Sequence, residues 1–258
     1  MDINHNNQTT LNNKKYIGSC CGNSFVILDC RENKLDRQYK IDFAKENIVK
    51  HEVDSVLFLE DSDFDVLMEI FEKDGSESDS CGNGTILIAK MLGLNNGKVE
   101  MKDNAAMIKG DSEKQSILMS MKFAYIEKVK NKENCVFVKF GEPHIVFLID
   151  DMENFNLEKE GKEMQRDYPG GVNVDVIQKI EENKYLIKTY ERGVFAETKS
   201  CGTGSLSAYM ALNYFAGGHL KKNPIELISS GGIHWVGKEG NMLRLETLKK
   251  FCKIKNLK

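Results

Sequence analysis

Glu197-Thr198-Lys199-Ser200-Cys201-Gly202-Thr203-Gly204-Ser205 runs straight into the apolar segment Leu206 to Tyr214. The pattern puts one cysteine where a loop becomes a helix. Backbone N–H groups left free at a helix N-terminus stabilise a thiolate and bind anions such as carboxylates, and the glycines flanking Thr203 let a ligand approach that backbone closely. A second copy, Glu77-Ser78-Asp79-Ser80-Cys81-Gly82-Asn83-Gly84-Thr85, precedes the apolar Ile86 to Leu92. One cysteine in a Gly-rich turn is more often structural than reactive. Two copies in register reverse that weighting.

The rest of the chain repeats with them. Cys81 and Cys201 stand 120 residues apart. At an offset of 119, Phe71-Glu72-Lys73 falls on Tyr190-Glu191-Arg192, Val53-Asp54-Ser55-Val56 on Val172-Asn173-Val174-Asp175, and Gly22-Asn23-Ser24-Phe25 on Gly141-Glu142-Pro143-His144. Chance matches do not hold one register over this length, so the chain divides into two homologous units, 16–128 and 129–248. A polar leader (1–15) precedes them and a basic tail (249–258) follows. Two copies make a duplicated pair related by a pseudo-twofold axis, too few for a solenoid. Short β-branched or aromatic runs, such as Phe25 to Leu28, Ser55 to Leu59, Ile145 to Ile149 and Tyr185 to Tyr190, read as strands. Residues 85–93 and 205–216 are apolar nearly all round, as in a buried helix. The expected fold is α/β: two pseudo-symmetric domains, each a curved, barrel-like sheet around a central helix.

Composition narrows the function. With 41% hydrophobic and 29% charged residues among 258, the chain reads as soluble and globular, and no apolar run approaches the roughly 20 residues that span a bilayer. A net charge of −3 with scattered lysines argues against a nucleic-acid partner. Seven cysteines, an odd count without a Cys-x-x-Cys pair or zinc-like spacing, argue for reduced thiols in the cytoplasm and against a metal site. Cys20, Cys21, Cys30, Cys135 and Cys252 read as packing or surface, and His219 and His234 match no repeated position. A homodimer is compatible with the pattern.

Facing each other across a pseudo-twofold axis, Cys81 and Cys201 would lie on opposite sides of one carbon. One thiolate then removes an α-proton while the other thiol protonates the far face, which inverts the centre without a cofactor. The N–H groups around Gly82-Asn83 and Gly202-Thr203 would hold the substrate carboxylate where charge develops. Each thiol needs a proton-handling partner, and His144 and Glu191, both at repeated positions, are the candidates. Glu77 and Glu197, four residues before each cysteine, read as helix-cap or turn residues that give local support.

These residues resemble the diaminopimelate epimerase family, whose cofactor-independent, two-cysteine group also includes proline racemase. The resemblance runs from about Tyr16 to Leu245. It is carried by Gly22-Asn23-Ser24-Phe25, Asp74-Gly75-Ser76-Glu77 through Gly84, Gly141-Glu142-Pro143-His144, Val172-Asn173-Val174, and Tyr190-Glu191-Arg192-Gly193 through Gly204. It implies that Cys81 and Cys201 are the acid/base pair, that His144 and Glu191 support them, and that Asn23, Asn173 and Arg192 contact a small amino-acid substrate. It also implies that the C-terminal segment returns to the first lobe and that no cofactor is needed.

Two departures bear on the substrate. The family pattern has asparagines where this chain has Glu72 and Glu142, and those asparagines look after the distal amino-carboxylate end of diaminopimelate. Two carboxylates there would repel a distal carboxylate. The expected substrate therefore carries a basic or imidazole side chain, histidine first. The alternatives are a divergent diaminopimelate epimerase, in which Glu72 or Glu142 pairs with Lys73 or Arg192, and a non-catalytic amino-acid binder or redox switch.

Overall fold

In a computed structural model the described residues are 13–257 except 103, 123 and 131. The leader read over 1–15 falls outside them up to residue 12, while Lys14 and Lys15 open the first strand. The first half comprises β1 (Lys14–Cys20), β2 (Asn23–Asp29), α1 (Arg37–His51), β3 (Ser55–Glu60), β4 (Val66–Phe71), β5 (Glu77–Ser78), α2 (Gly82–Met91), β6 (Asn96–Met101), β7 (Asn104–Gly110), β8 (Lys114–Ser120) and β9 (Tyr125–Lys128). The second repeats that order with β10 (Cys135–Phe140), β11 (Glu142–Ile149), α3 (Leu157–Asp167), β12 (Asn173–Glu181), β13 (Lys184–Glu191), β14 (Ala196–Thr198), α4 (Gly202–Phe215), β15 (Ile225–Ser229), β16 (Gly232–Glu239), β17 (Met242–Leu248) and β18 (Cys252–Leu257).

Period-two alternation explains the layers. Val26, Leu28, Val56 and Phe58 turn to one face of β2 and β3, where they pack with Ala44 and Ile48 of α1. Phe25, Ile27, Leu57 and Leu59 turn to the other and meet Ile86 to Ala89 of α2. With both faces covered, the central strands read as continuous apolar runs. The second lobe does the same, with Ile145, Phe147, Val174 and Val176 under α3 and Val146 and Ile177 on the α4 side. Helix α2 is buried from Gly82 to Ala89, and α4 from Gly202 to Tyr209. The outer helices α1 and α3 were not foreseen. Their faces are mostly charged, so the apolar period is thin, and it is their place between parallel partners, β2 with β3 and β11 with β12, that requires a crossover.

The lobes exchange their last strands. β18 pairs antiparallel with β1, and β9 pairs with β10 across the charged stretch between the halves. The basic tail is therefore a strand of the first lobe's sheet, and 125–128 joins the sheet of the second. β17 hydrogen-bonds both β16 and β8, so one run of strands continues through both lobes. The pairing also refines the repeat. Phe25 lies opposite Ser55 as His144 lies opposite Asn173, and Phe71 opposite Val56 as Tyr190 opposite Val174. Ser55, and not Asp54, is the counterpart of Asn173, an offset of 118 in that strand. Glu72 keeps its match with Glu191, since each follows the matched pair Phe71 and Tyr190 directly.

No helix among the described residues is long and apolar enough to cross a membrane.

Candidate active site

Cys81 and Cys201 are themselves the N-caps of α2 and α4. Each is extended, and its sulfur accepts the N–H three residues on, from Gly84 and Gly204 respectively, at 3.3 Å. Of the cap and turn roles read for Glu77 and Glu197, the cap therefore falls to the cysteines. Both glutamates lie in the short strands β5 and β14, and Glu77 ion-pairs with Arg37 at 2.7 Å.

The two helix N-termini meet head to head. A Cβ on Gly202 would sit 2.8 Å from the Asn83 nitrogen and 2.9 Å from the Gly82 Cα, so only glycine permits this approach. The free N–H groups of both helices thus converge on one place, where they favour an anion. Asn83 ties the lobes together there, donating to Asn23 Oδ1 at 2.6 Å and to Ser200 Oγ at 2.8 Å. Asn23, Glu72, Cys81, Gly82, Glu142, Asn173, Glu191, Arg192, Cys201, Gly202 and Thr203 line one chamber of about 40 Å³, which holds only about three waters. Asn83 is fully buried directly behind it, and His144 reaches it through Thr203. The proposed residues are therefore assembled in one place, although they come from eight different elements or loops.

Cys201 has a hydrogen-bonded relay. Its sulfur lies 3.3 Å from Thr203 Oγ1, which lies 3.0 Å from His144 Nε2, and His144 Nδ1 lies 2.7 Å from Asp175 Oδ2. All four side chains are buried. The tautomer with its proton on Nδ1 satisfies the pair and leaves Nε2 to accept from the threonine. Thr189 donates to the other Asp175 oxygen at 2.6 Å. Asp175 was not singled out from the sequence, though it closes the repeated Val172-Asn173-Val174-Asp175. A carboxylate in the middle of a buried strand was the available signal, because such a charge persists only with partners.

Cys81 has no such chain. Asn83 stands where the other turn has Thr203, and its amide is already committed. Burial first, opposed by the Gly84 amide and reinforced by the negative charges of Glu191, Glu72 and Asp54, pushes the Cys81 thiol well above its ordinary range. Burial, Glu191 and Asp175 do the same to Cys201. Glu191 is pushed up to about 8, mainly by burial, with the charges of Glu72, Asp54 and Asp175 adding. Its buried Oε2 has no hydrogen-bond partner among the described residues, and neither do Ser80 Oγ, Asn83 Oδ1 and Thr198 Oγ1 around it. Unpaired polar atoms lining a closed chamber fit a polar ligand.

Glu72 and Glu142 have different surroundings. Glu142 forms a short ion pair with Arg192 and accepts the Asp79 N–H at 2.9 Å. Glu72 accepts from Ser55 Oγ at 3.0 Å and Ser78 Oγ at 2.7 Å. Burial, only partly offset by those hydroxyls, raises it to about 7, with Glu142 adding to the rise and Arg192 opposing it. Asn173 holds the main chain at Arg192, its Oδ1 accepting the Arg192 backbone N–H at 2.9 Å. Outside this chamber, His234 is buried and lies 2.8 Å from Ser205 Oγ, in support of the first turn of α4.

A sequence profile of the family described as Diaminopimelate epimerase matches residues 136–244. The diaminopimelate epimerase of Methanocella arvoryzae is 32% identical over 225 residues, which cover 75% of this chain and 79% of that protein. That of Flavobacterium psychrophilum is 30% identical over 232 residues, covering 84% and 87%. Among solved structures, one of the phenazine biosynthesis protein PhzF family from Enterococcus faecalis superposes with a TM-score of 0.69 over 95% of this chain and 99% of that one. At 13% identity this is a likeness of fold.

Proposed function

The chain belongs to the diaminopimelate epimerase family and is an isomerase of the racemase and epimerase class; from that premise we propose that it inverts the α-carbon of a free amino acid with a basic or imidazole side chain, histidine first, by two-thiol proton transfer. The α-carboxylate binds where the two helix N-termini meet. The converging N–H groups stabilise the charge that develops as the α-proton leaves. The α-ammonium fits the unpaired Glu191 Oε2. Cys81 and Cys201 exchange the roles of base and acid between the two directions, Cys201 through Thr203, His144 and Asp175.

One observation supports the choice of side chain, namely that Glu72 lines the chamber with hydrogen bonds from Ser55 and Ser78 and no ion pair among the described residues, whereas the ion pair between Glu142 and Arg192 is the one expected of a divergent diaminopimelate epimerase. Arg192 is the cationic side chain lining the chamber, and Glu142 already neutralises it. A distal carboxylate would meet a compensated guanidinium with Glu72 beside it, and would lose its hydration without gaining a free cation. A ring N–H or an ammonium meets an acceptor at Glu72 instead.

Diaminopimelate is the second reading. Its support is the name borne by the relatives, together with the retained Asn23, Asn173 and Arg192. The pairing of Glu142 with Arg192 also fits a divergent enzyme that handles the distal end differently. A panel of L-histidine, L-lysine, L-ornithine, L-arginine and LL-diaminopimelate in D₂O, followed by NMR at the α-carbon, separates them. Histidine or another basic amino acid should exchange and invert fastest, and turnover of diaminopimelate alone would refute the side-chain argument.

A further inference from the structure

Glu72 occupies a position that its counterpart does not. It lines the closed chamber of Cys81 and Cys201. It also lines a second, more open cavity of about 390 Å³ between the lobes, with Asp54 and Lys73 of the first lobe and Gly193 and Val194 of the second. Its carboxylate thus stands between the thiols and a space large enough for many waters. Strand pairing makes it the first-lobe equivalent of Glu191, and Ser78, which donates to it, the equivalent of Thr198 beside Glu191.

We infer that Glu72 is the port through which the chamber exchanges protons with solvent. The inference rests on the two-thiol reading and adds a step that inversion leaves unfinished. After one inversion the thiol that acted as base holds the substrate's proton and the other is a thiolate. The enzyme must reset before it binds the same enantiomer again. When Cys81 has taken the proton, Glu72 as carboxylate accepts it, which leaves the Cys81 thiolate and a neutral Glu72. Water in the outer cavity takes that proton from Glu72. Glu72, reprotonated from that water, then delivers a proton to the Cys201 thiolate through water in the chamber and is again a carboxylate. Protons balance, and no bond to carbon is involved.

The charges around Glu72 suit this work. Glu142 and Arg192 face it from β11 and from the turn after β13, Glu191 and Asp54 add negative charge in the same region, and Cys81 opens α2 opposite. A carboxyl that titrates near neutrality exchanges its proton with water readily in both directions. The two serine hydroxyls hold it in place in both protonation states, since each can donate or accept.

Glu72→Gln tests the port, using whichever amino acid the wild-type enzyme inverts fastest. In single turnovers under excess enzyme, which need no reset, loss of the α-proton should slow by a smaller factor than steady-state turnover does, whatever the substitution costs in side-chain binding. In steady state at saturating substrate, turnover and the uptake of solvent deuterium should both fall at least about tenfold, because the reset becomes limiting. Glu72→Ala should show the same defect, and added formate, a small carboxylate that fits the emptied cavity, should restore it. An increase in KM with unchanged turnover and deuterium uptake would overturn the proposal and leave Glu72 as a side-chain contact only. Failure of formate to rescue a folded Glu72→Ala enzyme would overturn it as well. A wild-type enzyme that exchanges no amino acid's α-proton would remove the two-thiol reading along with the port.

Discussion

The two cysteine turns are copies in backbone and differ in what stands behind each sulfur. Both cysteines cap their helix, and both accept an amide at the same distance. Behind Cys201 run a hydroxyl, an imidazole and a carboxylate, all buried and all hydrogen-bonded. Behind Cys81 the matching positions are Asn83 and Phe25, and negative charge comes from Glu191, Glu72 and Asp54 instead. The duplicated turns therefore place two thiols in equivalent positions, with different side chains behind each. The proposed mechanism tolerates that inequality, because under it each thiol serves as acid in one direction and base in the other but need not do so by the same route.

Removing either sulfur breaks the comparison most severely. Cys81→Ala and Cys201→Ala should each lower racemisation by at least about 10³-fold, as expected for loss of a positioned proton donor. Full activity in either single variant would contradict the two-thiol account. Thr203→Val breaks only the relay behind Cys201, and about a 10²-fold loss in turnover is expected with KM little changed. His144→Asn should resemble it, and the double variant should be no worse than either single one, since both act through the same chain.

Glu142→Asn releases Arg192 from its ion pair. Selectivity for LL-diaminopimelate over histidine should then rise about tenfold, corresponding to about 1.4 kcal/mol. An unchanged ratio of kcat/KM values would show that the ion pair does not set the side-chain preference.

The smallest effect concerns stability. Glu191, raised in the native state to about 8 from an ordinary 4.5, keeps a proton that the unfolded chain releases. Native stability should therefore fall as pH rises from about 4.5 to about 8. Glu191→Gln removes that dependence. Its Tm relative to wild type should increase between pH 5 and pH 8.5, at about 2–4 °C per kcal/mol for a chain of this size. A difference in Tm that does not vary with pH would show that the carboxyl titrates normally.

The duplication was legible because glycine turns and paired cysteines leave a pattern that sequence alone displays. Two copies at offsets of 119 and 120 pointed to α2, α4, Cys81, Cys201, His144 and Glu191. Partnership was not legible. The sequence offered Lys73 and Arg192 as partners of Glu72 or Glu142 without deciding among them, since 50 residues separate Glu142 from Arg192 and only the pairing of β10, β11, β12 and β13 brings them together. Asp175 was hidden by its strand, whose neighbours on either side are ordinary buried valines. The tail at 252–257 looked like a solvated basic end because its strand lies at the edge of the sheet, with lysines exposed and Cys252 turned inward. The one-residue change of offset between Ser55 and Asn173 is visible only in strand pairing, because a slip of one moves every side chain to the other face.

The most direct test of two thiols acting on one α-carbon is NMR of the wild-type enzyme in D₂O with L-histidine and, in parallel, LL-diaminopimelate. The account predicts loss of the α-proton signal of the preferred amino acid, with deuterium entering the inverted product as it forms. It further predicts that both the exchange and the inversion disappear in the Cys81→Ala, Cys201→Ala double variant. Retention of the α-proton in every amino acid offered, or exchange that survives loss of both sulfurs, would contradict it.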